Sequence, residues 1–131
     1  MQEVHDFIKK CTTYYLATVE GNKPRVRPFG TIDIFEGKLY IQTGKSKEVS
    51  HQIHANPNVE LSACNEHNQW IRLSGELVSD DRIEPKIHML DTHPQLKSMY
   101  SAEDPNTEVL YFKNATATIY SFTAPPKVIK F

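Results

Sequence analysis

Apolar residues recur along the chain with two different periods, and the switches between them mark its elements. Val4, Phe7, Ile8 and Cys11 fall at helical spacing, which predicts a short amphipathic helix over residues 2–11. The stretch YYLATVEGNKPRVRPFGTIDIF then alternates instead. Tyr15, Ala17 and Val19 interleave with Leu16, Thr18 and Glu20, and Glu20-Gly21-Asn22-Lys23 separates two strands as a tight turn. Both faces of the first strand are expected to be largely covered. Glu36-Gly37 forms a second turn into a third strand, Lys38 to Thr43. Across residues 46–55 the helical period returns with Val49 and Ile53, and Asn56-Pro57 is where that helix should stop.

Alternation resumes in NVELSAC and QWIRLSGELV, two strands joined by the polar turn Asn65-Glu66-His67-Asn68. Ser79-Asp80-Asp81 offers an N-cap and an acidic first turn for a helix with Ile83, Ile87 and Leu90 on one face. Residues 94–100 suit a further short helix, and EVLYF, ATATIYSF and KVIKF close the chain as extended segments. Consecutive strands on tight turns pair antiparallel. The expectation is a mainly β fold with flanking helices, roughly six strands curled into a small antiparallel barrel. At 131 residues, with no repeat or linker, a single domain over 1–131 is expected.

Composition narrows the classes. The chain is 39% apolar and 24% charged, with a formal net charge of −1. That balance suits a globular protein and lacks the basic excess of a free-standing nucleic-acid binder. No run approaches the ~20 apolar residues of a membrane span, and MQEVHDFIKK has no signal-length apolar core, so a cytoplasmic location is expected. Cys11 and Cys64 stand without CxxC or Cys/His spacing, so no metal centre and two reduced thiols are expected.

The candidate chemistry begins at IQTGKSK, residues 41–47, where Gly44, Lys45 and Ser46 stand in the order that ends a Walker phosphate loop. That loop needs a glycine at position 39, which is Leu39, and a parallel βαβ unit. A nucleoside-triphosphate site is therefore excluded. A strand end feeding a helix start still offers free N–H groups and a positive dipole end. The stretch is either an anion site or a solvated basic turn. RVRPF favours the first: Arg25 and Arg27 point to one strand face, Val26 to the other. A rigid strand arginine suits phosphate. Pairing between this strand and the one ending at Thr43 is expected to bring Arg27 and the Thr43–Lys47 turn to one anion. Elsewhere, His51 and His54 share a helical face, as metal or haem ligands or as solvated polar residues. Asp80-Asp81 are catalytic carboxylates or caps, and Trp70 is a pocket wall or a core ring. No Ser-His-Asp or Cys-His arrangement can be assembled, so the catalytic residue is unknown.

Taken in order, these pieces resemble the FMN-binding split-barrel superfamily, the pyridoxamine 5′-phosphate oxidase-like proteins. YYLATVEGNKPRVRPFG, GKLYIQT, the basic turn and helix ending in HANPNVEL, QWIRLSGELVSDD, KSMYS and ATIYSFTAPPKVIKF carry the resemblance. It implies a homodimer of six-stranded split barrels with FMN at the subunit interface. Arg27 then matches the arginine on the FMN phosphate, with Arg25 beside it, and Lys45, Ser46 and Lys47 fall in the phosphate turn. Pro28 and Phe29 line the isoalloxazine, and Gln42 and Thr43 contact the flavin. Gln69 and Trp70 lie where the partner subunit reaches the cofactor, with Arg72 on the face of Trp70. The oxidases' C-terminal segment bearing tryptophan and arginine has no counterpart. The chain thus looks closer to the short branch, the nitroimidazole-reductase-like and general-stress-like proteins. The implied function is an FMN-dependent oxidoreductase moving electrons from a reduced nicotinamide to a small oxidant, or else a non-catalytic carrier or sensor of FMN or haem.

Overall fold

A computed structural model describes residues 1–131. The chain runs α1 (Gln2–Cys11), β1 (Tyr14–Glu20), β2 (Lys23–Phe29), β3 (Asp33–Phe35), β4 (Lys38–Gly44), α2 (Glu48–Ala55), β5 (Asn58–Cys64), β6 (Trp70–Asp80), α3 (Ile83–Thr92), a 3-10 helix (Pro94–Ser98), β7 (Thr107–Tyr120) and β8 (Lys127–Lys130). All strand pairs are antiparallel, in the order β2-β1-β5-β6-β7-β4-β3, with β8 also on β7. The expected fold class holds, with eight strands in place of six. The β3–β4 turn explains one addition. Glu36 at φ 50° and Gly37 at φ 73° make the two-residue turn that matches strand twist, so short β3 pairs with β4.

The two extended segments EVLYF and ATATIYSF are one strand. Along one edge β7 pairs with β6 throughout. On the other edge it pairs first with β4, from Thr107 to Tyr111, and then with β8, from Thr116 to Ile119. The change of partner falls at Asn114, whose φ is 53°. Opposite it the β6–β7 register shifts between Ser74 and Glu76. β7 carries the extra residue, and Gly75 stands opposite it because nothing larger fits: an added Cβ would lie 3.2 Å from the Ala115 Cα and 3.2 Å from the Lys113 carbonyl oxygen. A bulge bends its strand and increases its twist. The sheet curls there.

Inside the curl lies a core built from Val4 and Ile8 of α1, Leu16, Ile41, Leu61, Ile71 and Leu73 of the strands, and Val49 and Ile53 of α2. Helix α1 and the inner face of α2 match their predicted patterns. Four expectations do not hold. The first is the pairing of β2 with β4, which stand near opposite ends of the strand order. They approach only through the curl, and Thr31 bridges the gap: its carbonyl accepts from the Tyr14 hydroxyl at 2.7 Å, and its Oγ1 accepts from the Gln42 N–H at 3.0 Å. The second is the cover on β1, since Tyr15 is 54% exposed and its neighbour strand shows Val26 at 67%. The third is the apolar face of α3. Pro85, Lys86, Met89 and Leu90 face inward, while Ile83 and Ile87 are exposed.

The fourth is the N-cap at Ser79-Asp80-Asp81. Ser79 and Asp80 still belong to β6, and Arg82 is the N-cap residue. Asp80 instead ties three elements. It accepts from the Arg82 guanidinium at 3.0 Å and from the Tyr40 hydroxyl at 2.8 Å, and Arg82 also meets Glu36 at 2.9 Å. The Arg82 hydrogen bonds hold the Asp80 carboxyl down at about 2, and burial with Asp80 alongside pushes the Tyr40 hydroxyl up to about 12. Asp81 meets Lys45 at 3.1 Å, so the two carboxylates turn to different partners and neither is the N-cap of α3.

Gly75→Ala is expected to destabilise the fold by about 1–3 kcal/mol, because backbone rather than a movable side chain must yield. Urea unfolding checks this. A loss under about 0.5 kcal/mol, typical of an unconstrained surface site, would mean the bulge is not tight.

Candidate functional site

Where the two ends of the curled sheet converge, a cleft of about 250 Å³ opens. The β2 side contributes Arg27, Pro28 and Phe29; Gly30 and Thr31 follow in the loop. From β4 come Gln42 and Thr43, and from the start of α2 come Lys47 and Val49. Leu96, Met99 and Tyr100, from the 3-10 helix and the residues after it, form an apolar wall.

Charge pairing separates neighbours that look equivalent in sequence. Arg25 lies on Glu20 at 2.8 Å, and Lys45 lies on Asp81 at 3.1 Å. Arg27 has only neutral acceptors: the Leu16 carbonyl at 3.2 Å, Thr18 Oγ1 at 2.7 Å and Gln52 Oε1 at 2.6 Å. Burial presses its guanidinium below its ordinary value. Lys47 has no carboxylate partner either. The cleft therefore holds two uncompensated cations, one of them half-buried, and that arrangement favours an anion.

Beside them sits an unsatisfied amide. Gln42 is 5% exposed, and neither its Nε2 nor its Oε1 has a hydrogen-bond partner. A buried amide without partners costs about 1–3 kcal/mol, so a native one calls for an explanation. Gln42 is also one of the residues lining the cleft.

Helix α2 carries most of the support. Gln52, buried on its inner face, receives Arg27 and also accepts from Thr18 Oγ1 at 2.5 Å. Two residues to either side of Gln52, and one turn from each other, Ser50 donates to Glu108 Oε1 at 2.6 Å and His54 Nε2 meets Glu108 Oε2 at 2.6 Å; Ser79 adds a third bond at 2.8 Å. Glu108 on β7 is 1% exposed. Burial alone would push its carboxyl up, but the hydrogen bonds from Ser50, His54 and Ser79 outweigh it and hold the carboxyl below its ordinary value.

Of the residues singled out in the sequence, Arg27, Pro28, Phe29, Gln42, Thr43 and Lys47 are brought together. Arg25, Lys45 and Ser46 are not among the lining. The turn itself differs from expectation, because α2 begins at Glu48 with Lys47 as its N-cap. The N–H groups of Lys45 and Ser46 are already taken, by the Asn106 carbonyl at 2.8 Å and Asn106 Oδ1 at 2.9 Å. Gln69, Trp70 and Arg72 lie elsewhere in the same chain. Gln69 closes the β5–β6 turn on Asn65, Trp70 stacks on Tyr120 with centroids 5.4 Å apart, and Arg72 faces Glu60 at 3.7 Å. His51 is exposed and His54 is bound to Glu108, so neither lines the cleft. The sequence reading passed over Gln52, Glu108 and Asn106. Glu108 did leave a signal, a lone carboxylate opening the apolar run EVLYF.

A curled antiparallel sheet open at one side, with a cleft where its ends meet, is a split barrel. A family model described as Pyridoxamine 5′-phosphate oxidase matches residues 1–120, and the chain belongs to that family. Among solved structures, a NimC/NimA family protein from Clostridium acetobutylicum is 45% identical, with a TM-score of 0.98 over 100% of this chain and 92% of that one. General Stress Protein 26 from Bacillus anthracis is 22% identical, with a TM-score of 0.75 over 99% and 98%. A heme binding protein from Mycobacterium smegmatis is 10% identical, with a TM-score of 0.72 over 94% of this chain and 57% of that one. No curated protein matches the sequence. No helix is long and apolar enough to cross a membrane.

The Glu108 cluster gives a pH dependence. A carboxyl held below its unfolded value adds stability that is full above the unfolded value, about 4.3, and is lost as pH falls through the folded one. The stability gap between wild type and Glu108→Gln is therefore expected to be widest near neutrality and to shrink below about pH 4. Urea titrations across that range check it; a gap that stays constant would remove the buried carboxylate as its source.

Proposed function

We propose that the protein binds FMN in this cleft and uses it to pass electrons from a reduced nicotinamide to a small oxidant. The observation that carries the reading is the pairing of two uncompensated cations, Arg27 and Lys47, with the orphaned Gln42 carboxamide in one cleft. The cations suit a phosphate. The carboxamide suits the polar edge of the isoalloxazine, which offers a donor and acceptors side by side. Phe29, Leu96 and Met99 suit its apolar face. The residues present fit the group.

FMN, when bound, supplies hydride and electron transfer. The chain's part is placement. Arg27 and Lys47 hold the phosphate, Gln42 orients the ring, and the wall from Leu96 to Tyr100 keeps water from one side. No side chain in the cleft is assigned a proton-transfer step. No histidine or cysteine lines it, which favours FMN over haem.

The cleft is smaller than the roughly 300–1,000 Å³ of an enclosed ligand site. A second copy of the chain supplies the missing wall in this reading. The outer sheet face that carries the half-exposed pair Trp70 and Tyr120 also bears exposed Tyr15, Val26 and Val128. That face is apolar enough to pair with its own copy, which would bring Gln69, Trp70 and Arg72 to the partner's flavin.

Purified protein is expected to show flavin absorption, or to acquire it with FMN and gain melting temperature. Protein that stays colourless and unshifted would end the reading. NADH or NADPH under anaerobic conditions is expected to bleach the flavin; a flavin that stays oxidised leaves a non-catalytic binder. Arg27→Ala should weaken FMN by about 1.5–3 kcal/mol while leaving riboflavin, which lacks the phosphate, nearly unchanged. Equal losses for both ligands would move the phosphate elsewhere. Val26→Glu, on an exposed position, should shift light scattering from dimer to monomer and weaken FMN in parallel. A dimer that persists would place the interface on another face.

A further inference from the structure

The cleft lysine sits on a short connection that could move freely, yet its two flanks are bonded to one place. Before Lys47, the Lys45 N–H donates to the Asn106 carbonyl at 2.8 Å and the Ser46 N–H donates to Asn106 Oδ1 at 2.9 Å. Gly44 lies so close beneath Asn106 that a Cβ there would stand 3.0 Å from Nδ2. The Lys47 N–H returns to the Gly44 carbonyl at 3.0 Å. After Lys47, the Ser50 N–H closes on the Lys47 carbonyl at 3.1 Å, and the Ser50 hydroxyl and the His54 ring both bind Glu108. Asn106 and Glu108 flank Thr107, the first residue of β7, and Glu108 pairs with cleft-lining Thr43 across the ladder. Neither residue lines the cleft.

We propose that Asn106 and Glu108 are the positioning residues of the anion site, holding Lys47 from both flanks so that its ammonium meets the phosphate beside Arg27. The inference rests on the reading of the cleft as an FMN site and adds which residues outside it set its phosphate affinity. An isolated lysine keeps several rotatable bonds, and a fixed backbone start limits where its ammonium can go.

The test is a double-mutant cycle on ligand affinity, read by flavin fluorescence with FMN and with riboflavin. Asn106→Ala is expected to weaken FMN about three- to tenfold, the worth of one hydrogen bond, and to leave riboflavin within about twofold. In a Lys47→Ala background the same substitution should cost less than about twofold, because nothing remains to position. Glu108→Gln, which keeps the shape of the side chain, should behave the same way. Circular dichroism confirms folding of each variant, and Glu108→Gln stands in where Asn106→Ala fails to fold. Losses that multiply in the Lys47→Ala background, or that fall equally on riboflavin, would overturn the positioning role while leaving the FMN site in place. Wild-type protein that binds no FMN would overturn the site itself, and the inference with it.

Discussion

The structure depends on β7 having two partners along one edge. A strand of 14 residues cannot stay flat beside β6 while handing its other edge from β4 to β8. The handover is made possible by Asn114 in the left-handed region and by Gly75 opposite it, where the backbone of β7 occupies the space of a side chain. The bend turns β4 toward the hairpin of β1 and β2. Thr31 then joins the two sheet ends with hydrogen bonds to Tyr14 and Gln42 rather than with a ladder. A paired barrel would have filled that seam with backbone bonds. A split one leaves room for a ligand between Arg27 and Gln42.

Within the seam, what would suit an anion is which charges are left alone. Four basic residues lie near it, and two are neutralised by Glu20 and Asp81 on the exposed side. Exposed pairs of this kind contribute little to stability. Their effect is to leave Arg27 and Lys47 as the cations without a carboxylate. Arg27 is held by Thr18, Gln52 and a carbonyl, so its direction is set without its charge being cancelled. Glu108 is a buried carboxylate under the same helix, yet its bonds to Ser50, His54 and Ser79 satisfy it locally and leave it out of the cleft lining.

Local patterns were legible where local forces decide. The period of α1 and the alternation of β1, β5 and β6 follow from burial of one face, and the placement of Arg25 and Arg27 opposite Val26 follows from strand geometry alone. The choice between Lys45 and Lys47 was not legible, because Asp81 and Asn106 lie far along the chain from both. The face of α3 was misjudged for a similar reason. Ile83 and Ile87 form a regular apolar stripe, but the helix seats Met89 against Tyr40 and Val109 and leaves the stripe outside. Ser79-Asp80-Asp81 has the composition of a cap, and yet a strong bidentate partner in Arg82 and a buried hydroxyl in Tyr40 claim Asp80 first.

The curl and the cleft have different standing as arguments about function. Structures at 22% and 10% identity keep the fold, and their names range from a stress protein to a heme binding protein, so the barrel by itself selects no ligand. What can select one is the side chains at the seam. An arginine held only by neutral oxygens and a buried carboxamide with both atoms unpaired each carry a free-energy cost, and the exposed lysine at the helix start adds a second cation beside them. A single ligand bearing a phosphate at one end and an amide-like edge at the other would suit all three, and the proposed reading rests on that convergence rather than on the fold-level likeness.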